Sequence, residues 1–202
     1  MPRLLSRPPK PNQVRIIGGI WRRRLLRFPS IADLRPTPDR VRETLFNWLG
    51  QDLCELATLD LFAGSGALSF EALSRGATLA VAVESGGLAV ASLRENAAAL
   101  GASGLEAHCA DAMAFLRRET RRFDLIFLDP PFRDEWLPRL WPLLPGRLSP
   151  GGWLYVEQGR PVQPPPGWEI FRHQRAGQVH YHLLRRVPGS VADEENQRKQ
   201  ST

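Results

Sequence analysis

The chain has 202 residues, of which 43% are hydrophobic and 24% are charged, which suits one main globular domain with its own core. The net charge is +6, but residues 1–42 alone carry +9, so a basic N-terminal arm precedes a nearly neutral remainder and favours a polyanionic partner such as nucleic acid. No apolar run approaches the ~20 residues that cross a bilayer, and the basic start lacks the apolar stretch of a secretory signal, which argues against a membrane protein and predicts the cytoplasm.

The two cysteines, Cys54 and Cys109, lie far apart and form neither a C-x-x-C motif nor a cluster with histidines. A zinc site is therefore not expected, and no metal is predicted. We expect both cysteines to be buried, reduced thiols.

From the N-terminus onward, β-type and helical segments alternate. Residues 15–17 and 21–28 flank Gly18 and Gly19, a pattern typical of a short basic β-hairpin. Thr37 and Pro38 suit the cap and first turn of a helix that extends to residue 49. Further strands are predicted at 58–62, 79–83, 105–108, 124–128 and 153–157, further helices at 67–75, 88–100, 112–118 and 135–144, and a closing hairpin at 168–174 and 179–185.

This alternation predicts an α/β fold. We expect a doubly wound, mostly parallel sheet of about seven strands, with a C-terminal antiparallel hairpin and a small N-terminal basic β-hairpin. The predicted division is a disordered basic tail at 1–13, the basic extension at 14–36, the main domain at 37–187 and a disordered tail at 188–202. Ligands of such sheets bind at the carboxyl ends of the strands, so the residues placed there are the candidate site.

The first candidate is the turn after strand 58–62, where Gly64 and Gly66 allow a tight turn and a close approach of backbone to a ligand. A lone G-x-G also fits a plain strand-to-helix turn, and Ser69 stands where a dinucleotide-binding motif has its third glycine. The predicted cofactor-binding residues of this segment are Asp60, Phe62, Ala63, Gly64, Ser65 and Gly66.

The next two strands also end in carboxylates. Glu84 could accept hydrogen bonds from both ribose hydroxyls of an adenosine ligand, or be an exposed turn residue. Asp111, followed by Ala112, could accept from an adenine amino group or cap the next helix. Because such residues recur at three successive strand ends, we predict that they share one cofactor.

The strand at 124–128 ends in Asp129-Pro130-Pro131-Phe132, the most specific signal in the chain. The two prolines restrict the backbone and remove two N–H donors, which leaves the Asp129 carboxylate and the Pro130 carbonyl as acceptors. A base amine offers two N–H donors, and Phe132 offers a face for stacking a flipped-out base. These four residues are the predicted catalytic group.

With these residues in view, segment 60–68 and the Asp129–Phe132 motif resemble the class I methyltransferases that act on amino groups. More narrowly, segments 15–19, 34–37, 39–49, 71–77 and 176–179 resemble the bacterial RsmD-type family of 16S ribosomal RNA guanine-N2 methyltransferases. The family usually has glycine at position 23, where this chain has Arg23. It often has a second acid two residues after Glu84, where this chain has Gly86.

The resemblance implies a Rossmann-like fold, S-adenosylmethionine as cofactor, and methylation of a guanine N2 in small-subunit RNA on an assembling or assembled 30S particle. We further expect a monomer that binds no membrane. The predicted RNA-binding residues are Arg15, Arg22, Arg23, Arg24, Arg27, Arg35, Arg40 and Arg42.

Three alternatives remain open from the residues alone. An N6-adenine methyltransferase of DNA or RNA would share every catalytic element. A non-catalytic RNA-binding module with this fold would bind RNA without methyl transfer, which the intact Asp129 motif argues against. A nicotinamide oxidoreductase is disfavoured by Ser69 in place of the third glycine.

Overall fold

A computed structural model describes residues 12–30, 36–131 and 135–187 of the chain. The two predicted tails lie outside the described residues, except for Asn12 and Gln13. Arg35 and Phe132 also lie outside them. In chain order the elements are β1 Asn12–Arg15, β2 Leu25–Phe28, α1 Asp39–Leu49, β3 Ala57–Asp60, α2 Ala67–Ser74, β4 Leu79–Glu84, α3 Gly87–Leu100, β5 Leu105–Cys109, α4 Ala112–Arg118, β6 Phe123–Leu128, α5 Trp136–Leu140, a 3₁₀ turn Leu144–Gly146, β7 Leu148–Gln158, β8 Trp168–Ala176 and β9 Val179–Arg186.

Seven strands form one sheet in the order β5-β4-β3-β6-β7-β9-β8. The five strands from β5 to β7 are parallel, whereas β9 and β8 are antiparallel additions at one edge. The predicted α/β, doubly wound sheet with a C-terminal antiparallel hairpin is confirmed. The chain first builds outward from β3 to β5 and then returns to place β6 beside β3, so the switch point where such sheets bind ligands lies between β3 and β6.

The sheet is covered on both faces, as the near-continuous apolar strands predict. On one face, Phe46 of α1, Phe70 of α2 and Leu93 of α3 pack against inward side chains such as Phe127, together with the N-terminal hairpin. On the other face, helices α4 and α5 contribute Leu116 and Leu140 to a second apolar cluster. Within the described residues, no helix has the length and apolar character needed to span a membrane.

The N-terminal hairpin forms, but its strands differ from the predicted ones. Strand β1 begins at Asn12, within the segment predicted as a disordered tail, and pairs with β2 from Asn12↔Phe28 to Arg15↔Leu25. Residues 16–24 form the connection instead of strand ends. Arg23 has a φ of 71° in this connection, in the left-handed region that favours glycine.

Two local predictions are wrong. Pro38, with ψ of 147°, occupies the cap of α1, and the helix begins at Asp39 without a side-chain cap, so Thr37 does not cap it. Cys54 and Cys109 are exposed, because Cys54 lies in the turn before β3 and Cys109 ends β5 at the edge of the sheet.

Candidate active site

The turn between β3 and α2 brings backbone close to the switch point. Gly64 and Gly66 have φ of 51° and 77°. A Cβ at Gly66 would lie 2.4 Å from Leu93 Cδ2 and 2.9 Å from the Phe70 ring, so both backbone conformation and space require glycine there. The turn is closed by the Gly66 N–H, which donates to the Ala63 carbonyl at 2.7 Å.

Glu84, at the end of β4, links this turn to the next one. Its Oε2 accepts the Gly64 N–H at 3.0 Å, and its Oε1 accepts the Gly86 N–H at 2.8 Å. Oε1 also accepts the Ser85 hydroxyl at 3.3 Å, whereas Oε2 keeps a second lone pair as an acceptor for a ligand. Gly86, the position at which the family often has a second acid, serves here as a backbone donor that fixes Glu84.

Asp111 caps α4, because its Oδ1 accepts the Ala114 N–H at 2.9 Å. Its side chain is exposed, whereas Ala112, the first residue of α4, is buried. The structure thus shows the capping role. Contact of Asp111 and Ala112 with a cofactor stays a prediction.

Asp60, at the end of β3, is buried and accepts a hydrogen bond from the Ser69 hydroxyl at 2.8 Å. Burial raises the pKa of Asp60 to about 7, against the opposing effect of the hydrogen bonds from Ser69 and the Phe62 backbone. Ser69 therefore supports Asp60 at the position where a dinucleotide-binding motif has its third glycine.

Asp129 follows β6 and lies beside the end of β7, where Glu157 stands. The strands pair Phe127 with Tyr155 and Leu128 with Val156, so Asp129 and Glu157 continue the two strands side by side. Burial, followed by the charges of Glu157 and Asp60, raises the pKa of Asp129 well above its usual range. Pro130 is buried and Pro131 is exposed.

Glu157 is a site residue that the sequence reasoning missed. Its side chain is 3% exposed, and its Oε1 accepts the Tyr155 hydroxyl at 2.8 Å. The Thr37 hydroxyl lies near both Glu157 and Asp129, and it lowers the pKa of the acid to which it donates. The available signal was that Glu157 ends the strand predicted at 153–157, after the Asp129 motif, as Glu84 ends β4.

The predicted RNA-binding arginines divide into two groups. The prediction for Arg42 is wrong, because its side chain is 0% exposed and forms ion pairs with Asp39 at 2.6 Å and Glu71 at 3.3 Å. Arg15 is exposed and pairs with Asp39 at 2.8 Å. The other described members are exposed at the surface: Arg22, Arg23, Arg24, Arg27 and Arg40.

Glu71 of α2 anchors the hairpin that carries these arginines. Its two oxygens accept the Ile17 N–H at 2.9 Å and the Gly18 N–H at 2.7 Å. Ser74, one turn later, accepts the Trp21 N–H at 2.9 Å. The connection of the basic hairpin is therefore docked on the helix that follows the glycine turn.

The residues at the switch point fit a cationic nucleoside better than a dinucleotide. The glycine turn is flanked by the carboxyl groups of Asp60, Glu84 and Asp129. In their ionised forms these groups disfavour a pyrophosphate, whereas a positive sulfonium would stabilise those ionised forms, and Glu84 suits the hydroxyls of a ribose. This arrangement argues against the nicotinamide alternative.

Known proteins resemble the chain over most of its length. A family model described as "Conserved hypothetical protein 95" matches residues 14–185. A relative from Escherichia coli (strain K12), named ribosomal RNA small subunit methyltransferase D, is 42% identical over 91% of this chain and 98% of the relative. The protein of the same name from Haemophilus influenzae is 37% identical over 89% of this chain and 97% of the relative.

Solved structures agree with these matches. The Escherichia coli protein yhhF superposes with a TM-score of 0.78 at 42% identity, covering 87% of this chain and 98% of that chain. A SAM-dependent methyltransferase from Agrobacterium tumefaciens superposes with a TM-score of 0.55 at 26% identity, covering 66% of this chain and 49% of that chain.

Proposed function

Because the chain belongs to the family of the ribosomal RNA small subunit methyltransferase D proteins, we propose that it transfers a methyl group from S-adenosylmethionine to the exocyclic N2 amine of a guanine in small-subunit (16S) ribosomal RNA. The observation that carries the chemistry is the placement of Asp129 and Pro130 at the switch point, beside the glycine turn. The family relationship supports the choice of RNA.

The cofactor would be held by residues at three strand ends. Glu84 would accept from the ribose hydroxyls, Asp111 and Ala112 would lie at the adenine, and the glycine turn with Asp60 would hold the remainder. When bound, S-adenosylmethionine supplies a methyl group already activated by the sulfonium.

The chain's own residues then supply position and charge. The Asp129 carboxylate and the Pro130 carbonyl accept the hydrogens of the amine, which turns the nitrogen lone pair toward the methyl group. Asp129 also stabilises the positive charge that develops on nitrogen. Phe132, outside the described residues, is proposed to stack on the base.

The family relationship favours guanine over adenine as the base, and the acceptors of the site are compatible with guanine. Its Watson–Crick edge presents N1–H beside the N2 amine, so two neighbouring positions donate, whereas adenine presents an acceptor beside its amine. The acceptors that the described site offers to the amine are the Asp129 carboxylate and the Pro130 carbonyl, with Glu157 buried behind Asp129. An N6-adenine methyltransferase is therefore the second candidate.

The exposed arginines of the hairpin are proposed to bind RNA phosphates. We further propose that the substrate is an assembling or assembled 30S particle, and that the protein acts as a monomer in the cytoplasm. Five arginines of the hairpin face solvent, which supports an electrostatic contact with a large polyanion: Arg15, Arg22, Arg23, Arg24 and Arg27.

The test is transfer of a labelled methyl group to small subunits isolated without this modification, followed by nucleoside analysis. We expect label in N2-methylguanosine with the wild-type chain and none with Asp129→Ala. Label in N6-methyladenosine would replace the proposal by the second candidate. RNA binding without any label would indicate a non-catalytic module.

A further inference from the structure

Glu157 lies behind Asp129 in a setting that is costly for a carboxylate. It is 3% exposed, and among the described residues it forms no ion pair. Nor do the described residues contain a cluster of His, Cys, Asp and Glu that could hold a metal ion. A buried acid without a cation raises the energy of any second negative charge nearby.

The groups around Glu157 come from every element packed against it. Asp129 faces Glu157 from the end of β6, and Asp60 faces it from β3. The Tyr155 hydroxyl, on β7 itself, donates a hydrogen bond to Glu157, and Tyr181 is its cross-strand neighbour on β9. Thr37 approaches from the segment before α1. Arg42 donates a hydrogen bond to the Thr37 backbone carbonyl at 3.1 Å. Its other N–H groups donate to Asp39, Glu71 and the Arg15 carbonyl, so it forms no ion pair with Glu157.

We propose that Glu157 makes Asp129 the acceptor of the proton that the amine loses on methylation. Glu157 is a positioning residue that acts through its charge and through Thr37. This inference rests on the proposed function. Asp129 is ionised when the cationic cofactor is bound and is protonated after transfer, so the site alternates between an ion pair and a neutral pair.

The step balances in atoms and charge. The lone pair of the amine nitrogen forms the new N–C bond, and the electron pair of the broken S–C bond stays on sulfur. One N–H bond breaks, and its proton forms an O–H bond on the Asp129 carboxylate. The positive charge of the sulfonium and the negative charge of Asp129 disappear together.

Glu157 opposes the ionisation of Asp129 when no cation is present, and this controls when Asp129 holds a proton. Burial raises the pKa of Glu157, and the charge of Glu157 helps to raise the pKa of Asp129 well above the usual range, which favours the protonated form of Asp129 in the free site. With S-adenosylmethionine bound, Asp129 would face a positive charge that offsets this repulsion, and it would give up its proton. The thioether product carries no charge, so the proton delivered by the amine is retained.

The first readout is proton release on cofactor binding, and it needs no RNA. The full chain is titrated by calorimetry near pH 7 in two buffers of different ionisation enthalpy. The difference between the buffers gives the number of protons released when S-adenosylmethionine or S-adenosylhomocysteine binds. We expect about one more proton released by the sulfonium compound, since one positive charge is added beside one protonated acid. Glu157→Gln should reduce this difference to less than half.

The second readout is the pH dependence of single-turnover methylation. Asp129 must be ionised to accept the proton, so the rate falls as pH falls through its pKa. Glu157→Gln removes the repelling charge and should move this acidic limb to lower pH by about one unit. Thr37→Val removes a hydroxyl that stabilises the charged form and should move the limb to higher pH.

Controls separate this role from a structural one. Glu169→Gln makes the same change at an exposed acid of β8 that pairs with Arg185, and should alter neither the proton count nor the limb. A merely structural Glu157 would lower the melting temperature and the rate at every pH without moving the limb.

The outcomes distinguish the inference from the function on which it rests. Equal proton counts for the two compounds, or an unmoved acidic limb in Glu157→Gln, overturn the inference while methylation of small-subunit RNA still stands. Normal proton counts without methylation of any RNA overturn the proposed function. Absence of cofactor binding overturns both.

Discussion

The guanidinium of Arg42 lies fully buried against the carboxylate of Glu71, with 3.3 Å between Nη1 and Oε2. Glu71 also accepts two backbone N–H groups of the hairpin connection, and a further guanidinium nitrogen of Arg42 donates to the Arg15 carbonyl at 2.9 Å. This pair therefore joins α1, α2 and the basic hairpin. Its function is to fix the hairpin, which an exposed arginine could not do.

Loss of one partner of this buried pair should be strongly destabilising. Arg42→Ala removes one of two buried guanidinium partners of Glu71, which keeps Arg75 at 2.8 Å, and should lower the free energy of unfolding by about 1.5–3 kcal/mol. Urea denaturation measures the change. Arg40→Ala, an exposed arginine of the same helix, is the control and should stay within about 0.5 kcal/mol of wild type. Similar values for the two variants would contradict the buried pair.

Arg23 predicts a stabilising substitution. Its φ of 71° costs an L-residue roughly 1–2 kcal/mol. Glycine removes this strain but adds about 0.5–1 kcal/mol of conformational entropy in the unfolded chain. Arg23→Gly should therefore raise the free energy of unfolding by up to about 1 kcal/mol. Arg22→Gly, the neighbouring change without a positive φ, should instead lower it. A thermal melt in which both variants lose stability would contradict the strain.

Glu84→Ala should weaken cofactor binding by roughly 1–3 kcal/mol, the scale of a hydrogen bond to a charged group. Calorimetry with S-adenosylmethionine measures the affinity. Because Glu84 also holds the Gly64 and Gly86 N–H groups, a thermal melt should accompany the titration. Unchanged affinity in a folded variant would remove Glu84 from the cofactor site.

Reversal of charge at Arg22 and Arg24 should weaken RNA binding and leave cofactor affinity intact. Each lost phosphate contact should flatten the log–log dependence of affinity on salt by roughly 0.7–0.9. The matched control reverses Arg117 and Arg118, two exposed arginines in the last turn of α4. If both double variants change the slope equally, the hairpin has no special role.

Asp129→Ala should reduce turnover by on the order of 10²–10³, the scale of losing one preorganised polar contact in an active site. The same change should not reduce stability. Burial and neighbouring acids raise the folded-state pKa of Asp129, so its ionisation opposes folding as pH rises above the unfolded pKa. Single-turnover rates with melts at pH 6 and 8 test both statements. A folded, cofactor-bound variant that methylates at the wild-type rate would contradict the mechanism.

Local sequence patterns correctly predicted which strand ends form the candidate site. The glycines of the turn, Glu84 and Asp129 each stand at a strand end, and a parallel sheet brings such ends to one edge. The proximity of Glu157 to Asp129 could not be predicted, because it depends on the pairing of β6 with β7, and no local sequence pattern indicates that pairing.

The wrong predictions share a physical cause, since side-chain chemistry alone does not reveal orientation. Arg42 counted toward the basic arm, yet it lies on the buried face of α1 with Val41, Leu45 and Phe46. Thr37 has the chemistry of a helix cap, but the backbone of Pro38 takes the cap position and leaves the Thr37 hydroxyl for the acids.

Helix α2 separates the glycine turn at its start from the hairpin dock at Glu71 and Ser74 near its end. Eight helical residues measure about 12 Å, a length that side-chain motion does not alter. On the proposed function, this fixed length would set the separation between a phosphate bound by the hairpin and a base bound at Asp129. An RNA that made both proposed contacts would have to span that distance.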